Sequence, residues 1–280
     1  MSLNHYKIEE KYSSFFNERV KTLTKTGKVT PAIERDAQKH AIKRAILHFF
    51  KIVQPEEKRD VWALLYSAHV ARKAGIHIAP ETITKVISAD QSWKKSSGHA
   101  FEEAVKELGN IALEGTGIEI ILQRDIKGLV AKKKIKNEVT DLKWLTPQIK
   151  SSVFDLFTIK DGYIFGCIQA KTSIRDRVTR DREPSLNAMN HFFWSIVFVL
   201  DGDFLKLPKF QAMVNGGTDE FEHNGWHALY AFSLPKPDLN NRINLLDSDL
   251  DPFKKHAIAA ANEWFTRRQW FNKDWKPNVE

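Results

Sequence analysis

The spacing of apolar positions changes part-way along the chain. In residues 34–53, ERDAQKHAIKRAILHFFKIV, a single stripe at helical spacing carries Ala41, Ala45, Ile46, Phe49, Phe50 and Val53, which predicts an amphipathic helix. After Pro55, residues 56–75 repeat the pattern with Val61, Leu64, Leu65 and Ala68, and Gly75 supplies a stop. APETITKVISA (79–89) predicts a shorter helix opened by Pro80. Residues 1–88 are therefore expected to form a helical N-terminal domain, with residues 89–280 forming a second domain of different texture.

That second region opens with SSGHAFEEAVKELGNIAL, a helix with Ser or Gly near its cap and acids in its first turn. Short β-rich runs follow at 117–124, 151–160 and 162–171, each bounded by Gly, Pro or Asp. The last two are separated by Asp161-Gly162, a strong hairpin signal. SLNAMNHFFWSIVFVL (185–200) reads as a buried helix after Pro184, with a β-branched end that suits a strand equally well. HALYAFSL (227–234) predicts another strand, and residues 251–270 a terminal amphipathic helix. The expected class is α/β (α+β), a central mixed sheet flanked by helices.

Composition narrows the partners. The 43 Lys and Arg against 35 Asp and Glu give a net charge of +8, which favours a polyanion such as nucleic acid. One cysteine, Cys167, rules out an intramolecular disulfide and a cysteine-built zinc site. The opening MSLNHYKIEEKYSSFF lacks the order of a signal peptide, and the longest apolar run, FFWSIVFVL, is about half a membrane span. An intracellular, cytoplasmic protein is expected, without membrane contact. No glycine-rich phosphate loop points to a nucleotide cofactor.

The hairpin carries the chemistry. Asp155 on its first strand and Lys171 at the end of its second can meet at one end of an antiparallel pair. Phosphodiester hydrolysis needs a hard cation on carboxylate oxygens and a positive group at the phosphate, which such a pair supplies. Taken singly, each is equally an ordinary strand-end charge. Beyond Lys171 come Arg175, Asp176, Arg177, Arg180, Asp181, Arg182 and Glu183, unusually dense for a segment that follows an apolar strand. Arginine can bridge guanine O6 and N7 while aspartate accepts from cytosine N4, so the Arg-Asp-Arg set suits neighbouring G·C pairs. A salt-bridged loop or helix start is the competing reading.

The order SGHAFEEAV (97–105), VFDLFTI (153–159) and AKTSIRDRV (170–178) resembles type II restriction endonucleases of the PD-(D/E)XK superfamily, specifically the AgeI/BsaWI-like branch of the CCGG family. The resemblance spans roughly residues 90–210. It implies a restriction-endonuclease-like core, with Asp155 as a metal ligand, Lys171 as the catalytic lysine, and Asp176 and Arg177 as base readers assisted by Arg175. Glu102 matches a helix glutamate that reaches the metal region; its neighbour Glu103 is turned about 100° away, so one of the two points inward. Gln169 stands where the superfamily places an acid, and the resemblance moves that carboxylate downstream, to Asp181 or Glu183.

The activity so implied is Mg²⁺-dependent hydrolysis of duplex DNA at a palindrome with a CCGG core. The cut falls before the first cytosine and leaves 5′-CCGG overhangs, with A or T expected outside the core. A homodimer, or a higher assembly aided by the helical domain, matches the symmetry of such a site. Two alternatives remain: a repair or junction-resolving nuclease of the same fold, and a non-catalytic DNA-binding repressor. The Arg-Asp-Arg tract argues against the first, and the Asp155–Lys171 pair against the second. Lys132, Lys133, Lys134 and Lys136 form either a phosphate contact or a solvated hairpin edge. SWKK (92–95), FTRRQW (265–270), His99 and His191 are read as structural.

Overall fold

The computed structural model describes residues 5–24, 29–75, 81–151, 153–172, 178–233, 242–246 and 248–277. The chain forms two compact units, Met1–Ala104 and Val105–Glu280. One helix, α4 (Glu81–Ala112), runs from the first into the second.

Within the first unit, α1 (His5–Leu23), α2 (Pro31–Phe49) and α3 (Lys58–Ala74) pack with the start of α4. Thr30 caps α2 by accepting from the Ile33 amide, with Pro31 in the first turn. Ala41, Ala45, Ile46, Phe49 and Phe50 of the expected stripe are buried, but the helix ends before Val53, where a turn leads into Pro55. Tyr12 donates to His69 Nδ1, and His69 Nε2 donates to the Ala89 carbonyl, each at 3.0 Å, which links α1, α3 and α4. Trp93 is core, edge-on to Trp62 and Tyr66. The helices expected at 79–89 and 96–113 are one: Ser96 and Ser97, read as a cap, are buried inside α4, and no proline interrupts it.

The second unit is built on a sheet in the order β1-β2-β3-β4-β5-β6. The strands are β1 (Ile118–Leu122), β2 (Leu156–Lys160), β3 (Tyr163–Lys171), β4 (Trp194–Val199), β5 (Ala228–Ala231) and β6 (Ile243–Leu245). The first three pair antiparallel and the rest parallel from β3 onward, so the sheet is mixed, as expected. The β2–β3 turn has positive φ at both Asp161 (53°) and Gly162 (87°), the geometry Asp-Gly favours in a two-residue hairpin. A bulge follows, with Phe165 as the extra residue of β3 between Ile164 and Gly166. Gly166 admits no side chain: a Cβ would lie 2.4 Å from Thr158 Oγ1 and 2.9 Å from the Trp194 carbonyl.

The remaining helices are α5 (Gln123–Ala131), α6 (Val139–Ser151), α7 (Val178–Asn190), α8 (Pro208–Asn215) and α9 (Asp251–Arg267). One face of β4 presents Trp194 and Phe198 to Phe253 of α9; the other carries Val197 and Val199 into a cluster with Met213, Val214 and Trp226. The 185–200 stretch resolves into both of its readings, helix to Asn190 and strand from Trp194, and α7 already begins before Pro184. The lysines at 132–136 follow α5 and do not form a hairpin edge, although the Lys136 amide donates to the Gly162 carbonyl at the β2–β3 turn. Among the described residues, no helix is long and apolar enough to cross a membrane.

Candidate active site

Asp155 immediately precedes β2, and its backbone is held from both sides: its amide donates to Ile168 and its carbonyl accepts from Gln123, each at 2.9 Å. The β2–β3 pairing stops at Leu156 opposite Ile168, so the Ala170 amide lies beyond the end of β2. Asp155 Oδ2 supplies the missing acceptor at 2.8 Å. The same oxygen accepts from Lys171 Nζ at 3.2 Å. Carboxylate and ammonium, sixteen positions apart in the chain, thus meet at the open end of the hairpin, with side chains 15% and 24% exposed.

No hydrogen bond among the described residues uses Asp155 Oδ1. A carboxylate beside a fixed ammonium, with its side chain reaching solvent, suits a hard divalent cation and the phosphate it would carry. Among the described residues, no three His, Cys, Asp or Glu side chains already form a metal-binding group.

Gln169, two residues before Lys171, is fully buried. Its Oε1 accepts from Trp226 Nε1 at 2.8 Å and its Nε2 donates to the Asp181 carbonyl at 3.0 Å. The amide therefore ties β3 to the first turn of α7. Arg182 secures that turn from another side, donating through Nε to the Met213 carbonyl at 3.3 Å and through Nη2 to that of His223, with its guanidinium over Phe221. Burial lowers the Arg182 pKa from its usual value. Neither partner set was visible in sequence, because Trp226 lies 57 residues from Gln169 and His223 lies 41 from Arg182.

Asp181 is half-buried and Glu183 exposed. Sheet-facing residues of α7 include the buried Ser185, Ala188 and Met189, and Ser185 Oγ lies 2.7 Å from Ser195 Oγ of β4. Asp181 is one turn before Ser185 on that stripe, whereas Glu183 is about 200° round the helix from Asp181. Arg175, Asp176 and Arg177 lie outside the described residues.

In the first unit, Glu102 lies 3.2 Å from His99 Nδ1 one turn earlier on α4, and Glu103 pairs with Lys39 of α2 at 2.5 Å. The neighbouring glutamates thus face different partners, as their helical offset requires. His191 stacks on Trp144 and its Nδ1 donates to the Asn187 carbonyl at 2.9 Å, a structural role. Arg268 of FTRRQW forms a two-pronged pair with Asp141 and covers the Trp264 ring.

Residues 132–270 match the family described as BsaWI restriction endonuclease type 2. Among solved structures, the crystal structure of the pre-specific restriction endonuclease BsaWI–DNA complex is 48% identical, with a TM-score of 0.68 over 99% of this chain and 100% of that one. The crystal structure of the specific restriction endonuclease AgeI–DNA complex aligns over 91% of each chain with a TM-score of 0.62 and 19% identity, a likeness of fold. No curated protein matches. Restriction endonucleases of this kind generally use a divalent metal. With a mixed sheet, a carboxylate–lysine pair at the hairpin end and near-complete alignment at 48% identity, the chain belongs to the BsaWI family of type II restriction endonucleases, which are site-specific deoxyribonucleases.

Proposed function

We propose that the protein is a Mg²⁺-dependent endonuclease that cuts duplex DNA at a palindrome with a CCGG core, before the first cytosine, as a homodimer with one active site per strand. The meeting of Asp155 and Lys171, with one carboxylate oxygen uncommitted among the described residues, carries this reading. The DNA held by both solved relatives supports the substrate class.

Asp155 would hold the cation through Oδ1, joined by a carboxylate from the first turn of α7, and the family resemblance assigns Glu102 to the same metal. Of the two candidates there, Asp181 shares the sheet-facing stripe with Ser185, so we assign it the role and place Glu183 on the outer side. When bound, Mg²⁺ supplies Lewis-acid polarisation of the phosphate and a more acidic water. Lys171, oriented by Asp155 Oδ2, places its ammonium where negative charge builds on the phosphate oxygens. Water oxygen forms the new bond to phosphorus as the bond to the 3′ oxygen breaks, giving a 5′-phosphate and a 3′-hydroxyl. Arg175, Asp176 and Arg177 would read the G·C pairs a few residues beyond the lysine.

The test is incubation with long mixed-sequence duplex DNA and Mg²⁺, followed by sequencing of the ends. Discrete ends beginning 5′-CCGG are expected. Ends scattered over sequence, or clustered at branch points, would instead identify a reader of DNA shape.

A further inference from the structure

Gln169 stands in the place of an acid yet is not an idle substitute. We infer that it is a positioning residue: a buried strut that ties β3 to the first turn of α7 and so fixes the spacing between Lys171 and that turn. This rests on the functional reading given above.

The geometry is specific to an amide. Gln169 Oε1 receives the Trp226 indole N–H and Nε2 gives a hydrogen to the Asp181 carbonyl. A carboxylate here could accept from the indole but would face the carbonyl with lone pairs on both sides. It would also be an anion with no water, since Gln169 has no exposed surface. An ionised acid, the form a metal ligand needs, is therefore incompatible at this position with this attachment of α7. Moving the carboxylate onto α7 and keeping the amide on β3 amount to a single arrangement.

The strut acts on a defined piece of chain. Lys171 is fixed at one end by β3, whose Lys171 pairs with Val199 of β4, and by the bond to Asp155. Asp181, at the other end, is fixed by Gln169, and Arg182 anchors the same turn to the carbonyls of Met213 and His223. Arg175, Asp176 and Arg177 fall between these anchors in sequence. Loss of the β3 anchor would let the α7 turn shift relative to the lysine, so that base reading and hydrolysis fall out of register together.

The test compares wild type with Gln169→Met, which keeps the length and loses both bonds, Gln169→Glu, whose ionised form keeps only the acceptor, and Trp226→Phe, which removes the indole donor alone. Each is measured in three ways. These are hydrogen exchange across 178–185, metal-free binding to the duplex that the wild type cuts relative to a scrambled duplex, and single-turnover cleavage against Mg²⁺ concentration. Thermal melting confirms that each variant folds. For both Gln169 variants we expect faster exchange in the first turn of α7 with β3 and β4 unchanged. Discrimination between the duplexes should fall at least tenfold, with a comparable drop in the cleavage rate at saturating Mg²⁺. Trp226→Phe should show a smaller change in the same direction. Folded Gln169 variants with wild-type exchange and discrimination overturn the inference. A wild type that itself shows no discrimination overturns instead the reading of the site, while the exchange measurement still decides on the strut.

Discussion

Asp155 with Lys171 and His227 with Arg242 are both polar groups placed at strand ends of the same sheet, yet their hydrogen-bonding capacity is spent differently. His227 is fully buried: Nδ1 accepts from the Ser195 amide at 3.0 Å and Nε2 donates to the Asn272 carbonyl at 2.8 Å. Because an amide only donates and a carbonyl only accepts, the ring must be neutral with its proton on Nε2. Arg242, also buried, donates to the carbonyls of His227, Lys273, Asp274 and Trp275 and so clasps the C-terminal segment. Burial brings its pKa down to about 10 and that of His227 to about 3. At the other cluster Asp155 keeps an oxygen uncommitted among the described residues, and both side chains reach solvent. Saturated, buried polar groups hold the fold, whereas unsaturated ones at an accessible edge are left to act on something else.

The sharpest way to break this contrast is Asp155→Ala, which should lower cleavage on the order of 10³-fold while specific DNA binding persists. Cleavage that survived would remove Asp155 from the chemistry. Asp181→Asn should follow it closely and Glu183→Gln should not; the reverse order would place the third carboxylate on the outer face of α7. For the clasp, Arg242→Met should leave cleavage at low temperature intact but cost about 2–4 kcal/mol in denaturant unfolding, since several carbonyls lose their donor at once. An activity loss in the folded variant would mean that the clasp serves the reaction directly. Arg177→Ala should weaken discrimination at a G·C pair by about 1–3 kcal/mol. A uniform loss on all sequences would recast Arg177 as a phosphate contact.

The contrast also carries a pH dependence of stability. His227 is held near 3 by burial, against an ordinary 6.5, so the unfolded chain binds the extra proton over that interval. Stability is complete above about 6.5 and declines as pH falls towards 3, by about 1.4 kcal/mol per pH unit from this residue. His69 and His256, each lowered to about 4 chiefly by burial, act in the same direction. Denaturant midpoints that stay level from pH 6.5 to 4.5 would show that the rings are not locked neutral.

Periodicity made the amphipathic helices and the central strands readable, and Asp161-Gly162 marked the hairpin; the Phe165 bulge, which shifts the register that brings Asp155 to Lys171, left no such signal. Elements with weaker patterns escaped: α1, α5, α6 and α8 are short or polar, and α6 carries Pro147 within it. Pro184 suggested a later helix start, but it lies inside α7, whose first turn with Asp181 precedes it. The departure at Gln169 was visible as a missing acid; its explanation needed Trp226 and the Asp181 carbonyl, which only the folded chain brings near.

Asp155 also closes a gap in the sheet, because its Oδ2 satisfies the Ala170 amide, and this bears on how an inactive enzyme should be made. Alanine at 155 removes the anion and orphans a backbone donor in a residue that is only 7% exposed, so it loosens the strand end as well as silencing the chemistry. Asparagine keeps an oxygen in place and discards only the charge. For trapping uncut DNA on an undistorted protein, Asp155→Asn is the cleaner tool.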